Sequence, residues 1–222
     1  MKPKSKGKLA IFDTFKTKEK DLTGEAKRQR SIITILGSNA NPAERTRTGI
    51  SQKIAKKQGI TWKNIYSGIF RDLDEILLPM GIAEENGRLP LKRGPKALQE
   101  KGIPYYHLTK KGVLVKLSIN GVENMSSEFK KFFAEFEPNE KKFETILSKF
   151  MTNSPTFTYS IFQKYVKAFC EDKIKEILPF DLSKLQDIPD ENLIIQKEIV
   201  LAFEKLSSKE KKEAIVFLEK IT

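Results

Sequence analysis

The sequence predicts a mainly α protein in which a small α+β domain, three helices followed by a β-hairpin, precedes an all-helical second half. Three observations point there. Apolar residues recur at helical spacing through most of the 222 residues, with capping residues before the runs and glycines after them. That rhythm is broken by short extended runs around Asn86-Gly87 and at Tyr105 to Leu108. Charge also divides the chain: residues 1–120 hold 25 Lys and Arg against 11 Asp and Glu, a balance of +14, whereas 121–222 hold 16 against 18. The expected organisation is a basic N-terminal arm over 1–23, an α+β domain over 24–120 and a helical domain over 121–222.

The opening "MKPKSKGK" is lysine-rich, poor in apolar residues and contains Pro and Gly, so it reads as a disordered arm. Ile11, Phe12 and Phe15 form an apolar patch suited to docking it. A first helix is expected from Gly24 to Leu36, capped by Thr23, with Ile32, Ile33, Ile35 and Leu36 as its apolar side and Gly37 as its stop. "SNANPAERTRTG" is a loop by composition. A second, short helix spans Ile50 to Gln58, with Ile50, Ile54 and Ala55 on one side and Gly59 beyond its end. The third opens with Thr61 as N-cap and runs to Leu78, carrying Trp62, Ile65, Tyr66, Ile69, Leu73, Ile76 and Leu77 at helical spacing, which marks Trp62 and Tyr66 as core. A short helix, a turn through "QGIT" and a longer amphipathic helix make a helix-turn-helix unit. Asn86-Gly87 suits the positive-φ positions of a type I′ turn and places a hairpin there. In "PYYHLTKKGVLVKL", Tyr105 and His107 fall on one side of a strand and Tyr106 and Leu108 on the other, after which Thr109 caps a helix bearing Val113, Leu114 and Leu117. His107, alone in a strand, reads as structural.

The order helix, helix, turn, helix, hairpin, helix, with "ISQKIAKKQGITWKNIY" and "YYHLTKKG" as its most specific parts, resembles the winged helix-turn-helix domains of bacterial and archaeal transcription regulators over residues 24–120. The stretch "LPLKRGPKALQEKGIP", between Arg88 and Tyr105, departs from that pattern by lengthening the wing. The resemblance implies a sequence-specific double-stranded DNA-binding protein, a cytoplasmic, nucleoid-associated transcription regulator. Its third helix would lie in the major groove and its wing on the backbone or in the minor groove.

On that reading the third helix presents Thr61, Lys63, Asn64, Ser67 and Arg71, because Arg or Lys can donate to guanine and Asn can pair with adenine. Asp72, Asp74 and Glu75 would repel phosphate and keep the later turns of that helix away from the groove. Arg45, Arg47, Lys53, Lys56 and Lys57, ahead of the turn, are the candidate phosphate contacts, which set register without reading sequence. Arg88, Lys92, Arg93, Lys96 and Lys101 are the wing's candidates, and "KRGPK" suits a narrow minor groove. Gly68 costs about 1 kcal/mol of helix propensity, which close approach to DNA or to a neighbouring helix would justify.

The second half holds 12 of the 15 phenylalanines and reads as helices over about 127–137, 139–151, 156–178, 191–206 and 208–221. Phe129, Phe136, Phe143, Phe150 and Phe157 are spaced by seven, but Pro138 and Pro155 divide that run into separate amphipathic helices. Ser207 with Glu210 forms a capping box. The resemblance implies that these helices pair two chains as a homodimer; partner docking or an unnamed small-molecule effector is the other use.

Other classes find little support. A lone Cys170, read as a small core residue, allows no internal disulfide, and one His with one Cys makes no zinc site. "GxxxxGK[ST]", "GxSxG" and "HExxH" do not occur, and "DLDE" and "DIPDE" read as solvated acids, so no enzyme, cofactor or metal is expected. No stretch approaches the roughly 18 apolar residues that span a bilayer, so no membrane partner is expected. Two rivals remain: an architectural protein binding DNA through phosphate alone, and a winged-helix subunit that docks proteins in a replication or transcription assembly.

Overall fold

The computed structural model describes residues 7–38, 41–91, 96–119, 121, 125–134 and 144–221. It is mainly helical, with two small two-stranded antiparallel sheets. Two compact units divide it, 1–181 and 182–222, so the junction expected at residue 120 falls inside the first unit.

The N-terminal segment departs from the arm expected over 1–23. Leu9, Ala10 and Ile11 are buried, and the chain then folds into β1 (Thr14–Phe15) and β2 (Lys18–Leu22), paired through Thr14 opposite Leu22 and Phe15 opposite Lys18. The anchor is polar. Fully buried Gln29 accepts from the Ala10 N–H at 2.8 Å, and Arg30 Nε donates to the Ile11 carbonyl at 2.6 Å while its guanidinium lies 5.4 Å over the Phe12 ring. An amide that satisfies a buried extended segment leaves no trace in hydrophobic periodicity, which is why only the apolar patch was legible. Phe15 remains 46% exposed.

Helix α1 (Gly24–Leu36) has the expected bounds, and Thr23 Oγ1 accepts from the Ala26 N–H at 3.1 Å. Helix α2 (Arg47–Gln58) starts three residues before the apolar pattern does, because Thr46 caps it by accepting from the Gly49 N–H at 3.0 Å. Helix α3 (Lys63–Arg71) has no side-chain cap, contrary to the role expected of Thr61; the Thr61 and Trp62 carbonyls instead receive the Asn64 and Ile65 N–H groups at 3.1 and 3.2 Å. Beyond Arg71 the winding loosens into a π-helical turn, Asp72–Leu77, with the Leu78 N–H on the Leu73 carbonyl at 2.9 Å.

At the junction of those two windings Asp72, with no accessible surface, takes both donors of Arg28 from α1, Nε at 2.5 Å and Nη2 at 3.1 Å. Arg28 reaches it across Gly68, where a Cβ would stand 3.0 Å from the guanidinium. Close approach of a neighbouring helix's side chain is therefore what this glycine serves.

Strands β3 (Ala83–Leu89) and β4 (Ile103–Leu108) pair from Ala83 opposite Leu108 to Leu89 opposite Ile103. Asn86-Gly87 is not the expected turn. It lies inside β3 as a bulge, with Glu85 opposite Tyr106, Gly87 opposite Tyr105 and Asn86 left over. The stretch that looked like an insertion is the connection itself and contains α4 (Lys96–Lys101). Strand β4 alternates as expected, Tyr106 and Leu108 buried, Tyr105 and His107 half-buried. Thr109 then caps α5 (Lys110–Leu117), accepting from the Gly112 N–H at 3.2 Å and donating to the Gly81 carbonyl at 2.6 Å. A Cβ at Gly112 would stand 2.0 Å from the Ile82 carbonyl oxygen, so the glycine of "YYHLTKKG" lets α5 close on the chain entering β3.

Buried Lys116 ties α5 to two other elements, donating to the Gly37 carbonyl at 2.6 Å, past the end of α1, and to Glu128 of α6 (Met125–Ala134). Helices α7 (Glu144–Asn153) and α8 (Pro155–Cys170) follow, with Pro155 in the first turn of α8. Phe129, Phe132, Phe133, Phe162, Tyr165 and Phe180 form an aromatic core; Phe162 and Phe180 stack at 5.4 Å. The helix expected to reach residue 178 ends at Cys170. Asp172 takes a left-handed φ of 59°, and the chain returns to bury Ile174, Ile177 and Phe180, held by the Tyr165 hydroxyl donating to the Ile177 carbonyl at 3.1 Å. Of the seven-residue phenylalanine series, Phe129 is buried and Phe150 meets Phe157 edge-on at 5.5 Å; Phe136 and Phe143, like Pro138, lie outside the described residues.

The second unit contains α9 (Glu191–Lys205), capped by Asp190, and α10 (Ser208–Ile221). The capping box forms as expected: the Ser207 N–H donates to Glu210 Oε2 at 2.8 Å and the Glu210 N–H to Ser207 Oγ at 3.4 Å.

Two consequences for stability follow from these burials. Asp72→Ala leaves the Arg28 guanidinium, 21% exposed, without its carboxylate, and equilibrium urea unfolding should register a loss of about 3–5 kcal/mol. Burial pushes the Tyr106 and Tyr165 phenols and the Cys170 thiol up to about 12 from ordinary values of 10.0, 10.0 and 9.0. The unfolded chain loses these protons first, so stability should hold below about pH 9 and fall as pH rises toward 12. Urea midpoints measured across that range check it.

Candidate nucleic-acid interface

The corner between α2 and α3 is built by short-range rules. Gly59, in the left-handed conformation, ends α2, the Ile60 N–H returns to the Ala55 carbonyl at 3.1 Å, and α3 begins within one turn. Lys56 and Lys57 stand in the last turn of α2 and Lys63 and Asn64 in the first turn of α3. Thr61, just before α3, is exposed, and so are Lys63, Asn64, Ser67 and Arg71, on the side of α3 opposite buried Ile69. Arg71 is drawn inward, 3.7 Å from both Glu25 and Asp72. Lys56, Lys57 and Lys63 have no ion-pair partner among the described residues.

The candidate phosphate contacts divide. Arg47 chelates Asp74, Nε at 3.0 Å and Nη2 at 2.6 Å, and its guanidinium lies over Phe70 at 5.3 Å and Tyr106 at 5.2 Å. Burial works against this cation, but the Asp74 hydrogen bonds and the charges of Tyr106 and Asp74 outweigh it and hold the guanidinium above its usual pKa. Arg47 therefore joins α2, α3 and β4. Arg45 stacks 5.6 Å over the Tyr105 ring, with a buried Nε lacking a partner. Lys53 meets Glu44 at 2.7 Å at an exposed position, where such a pair costs little to open.

Among the wing candidates Arg88 is held by both oxygens of Glu85, at 2.6 and 3.0 Å, and reaches the Lys101 carbonyl at 3.4 Å. The Lys96 and Lys101 side chains are exposed, while Lys92 and Arg93 lie outside the described residues.

The acids behave differently from the expected repulsive group. Asp72 and Asp74 face inward on Arg28 and Arg47, leaving Glu75 exposed. Trp62 and Tyr66, expected as core, are half-buried at the margin and meet edge-on at 5.7 Å. Ile60 and Phe70, which stand outside the apolar series expected of the third helix, are 43% and 46% exposed. His107 Nε2 stands 3.1 Å from Glu84, and its Nδ1 is buried without a partner. Among the described residues no cluster of three His, Cys, Asp or Glu is placed to hold a metal, and no helix is long and apolar enough to cross a membrane.

Comparison with protein-family models, with curated proteins and with solved structures finds no match for this chain.

The two roles of basic residues separate by mutation. Arg47→Ala should lower unfolding stability by about 2 kcal/mol, since Asp74 is left 18% exposed without its partner, whereas Lys56→Ala and Lys57→Ala should change it by less than about 0.5 kcal/mol. Thermal or urea melts of the three variants distinguish these outcomes.

Proposed function

We propose that residues 24–120 form a winged helix-turn-helix unit and that the protein binds double-stranded DNA in a sequence-specific way, as a transcription regulator acting on the nucleoid. The observation that carries this reading is the exposed corner at which Lys56, Lys57, Lys63, Asn64 and Ser67 stand together while the acids at 72 and 74 are turned inward. The first turns of α3 would read base edges, with Lys63 donating to guanine and Asn64 pairing with adenine. Lys56 and Lys57, with Lys53 released from Glu44, would neutralise phosphates and fix register. Lys96 and Lys101, on the connection between β3 and β4, would follow the backbone beside the groove. Arg45 and Arg47 have no part in this contact and support the scaffold beneath it.

A protein-docking role is the second reading, favoured by the exposed Ile60 and Phe70 beside the same corner.

Fluorescence anisotropy of the full chain with duplex DNA, over several salt concentrations, tests the proposal. Binding should weaken steeply with salt, and Lys56→Ala, Lys57→Ala and Lys63→Ala should each flatten the slope by about one. Asn64→Ala, tested on sites selected from a random duplex pool, should cost about 1–3 kcal/mol of discrimination at one base pair. Unchanged DNA affinity in Lys63→Ala and Asn64→Ala would favour docking, and affinity without site preference would favour an architectural role.

A further inference from the structure

In the second unit the apolar surface is inverted relative to an ordinary helical hairpin. No residue of α9 is buried, and nine large apolar side chains of α9 and α10 are 40–66% exposed, among them Ile194, Val200, Val216 and Phe217. What the hairpin covers for itself is modest: Leu193, Phe203 and Ala214 are half-buried, and Lys211 lies 5.8 Å over the Phe203 ring. A helix apolar on most of its circumference belongs inside a bundle.

We propose that α9 and α10 pair with the same two helices of a second copy of this chain to form a four-helix bundle. Area is the first argument. Nine side chains, each about half exposed, present on the order of 800 Å², more than the few hundred of a typical monomer patch and about what each partner of a stable interface buries. Charge identifies the occupant. Residues 182–222 carry seven Lys against eight Asp and Glu, interspersed along the same helices, as Lys209, Glu210, Lys212 and Glu213 illustrate. In an isologous two-fold contact residue i of one copy meets residue j of the other, so a flank carrying both signs can set its acids against lysines, whereas a polyanion or a strongly charged partner finds no net attraction. Helices of 15 and 14 residues, joined by a two-residue turn, are also of matched length for an antiparallel bundle.

The pairing is independent of DNA binding, and either can fail alone. Sedimentation equilibrium of the full chain should give twice the chain mass at about 10 µM and above, and Val200→Glu with Phe217→Glu should weaken association at least tenfold. Ile146→Glu, at an exposed apolar position of α7 in the first unit, should leave it unchanged. Cys170 is the chain's only cysteine and is buried, so a thiol introduced by Val200→Cys reports alone and should give chain-to-chain crosslinks with a short bismaleimide. A chain that stays monomeric at about 100 µM overturns the proposal. A dimer that survives the double substitution, or absence of the crosslink in a dimeric sample, overturns it equally by placing the interface elsewhere.

Discussion

Asp72 has no accessible surface, and a carboxylate in that position needs partners for both oxygens. Arg28 supplies both, and the crossing of α1 with the chain through Gly68 and Asp72 accommodates that contact. Gly68 opens the path across α3, and the π-helical turn that starts at Asp72 sends Leu73, Ile76 and Leu77 into the core. Breaking such a pair from one side strands a charge, so the crossing of α1 and α3 is fixed by chemistry as well as by packing.

A second bidentate pair, Arg47 with Asp74, does the same between α2 and the end of α3 and places its cation against Tyr106 of β4. Together the two pairs explain how a helix rich in acids can support a basic surface. The carboxylates at 72 and 74 are taken up inside the scaffold by arginines from neighbouring helices, and Lys56, Lys57 and Lys63 are left exposed without an ion-pair partner among the described residues. A planar guanidinium suits a fixed two-point contact such as that of Arg47 with Asp74, whereas the ammonium groups of Lys56 and Lys57 stand exposed on flexible stems.

Much of the architecture was legible in the residues. Thr23, Thr109 and the Ser207/Glu210 box cap where their types predict, and the alternation of Tyr105 to Leu108 predicts the buried pair. What escaped depends on contacts distant in sequence. Gln29 holds the backbone at Ala10 from nineteen residues away, Arg28 finds Asp72 from forty-four, and Lys116 reaches Gly37 from seventy-nine. Local pattern cannot show which arginine in a basic half is spoken for, so the stacking of Arg45 on Tyr105 and the hold of Arg47 on Asp74 escaped it. Asn86-Gly87 misled for a related reason: the dipeptide suits a turn and a bulge alike, and the partner strand decides between them. The outward placement of Lys63, Asn64 and Ser67 needed only the period of α3, and these residues are exposed.

The single residue left over at Asn86 has a geometric result further along the ribbon. Successive side chains of a strand point to alternate faces, so positions 85 and 88 of an unbroken strand would lie on opposite sides. The leftover residue reverses this parity. Glu85 stands opposite Tyr106 and Arg88 opposite Pro104, two residues of one face of β4, and so the acid and the arginine come out in phase and close their two-point contact. Leu89 and Gly87 fall in step with Ile103 and Tyr105 on the other side. A one-residue change of phase thus lets the single arginine of β3 meet one of that strand's two acids within the ribbon itself.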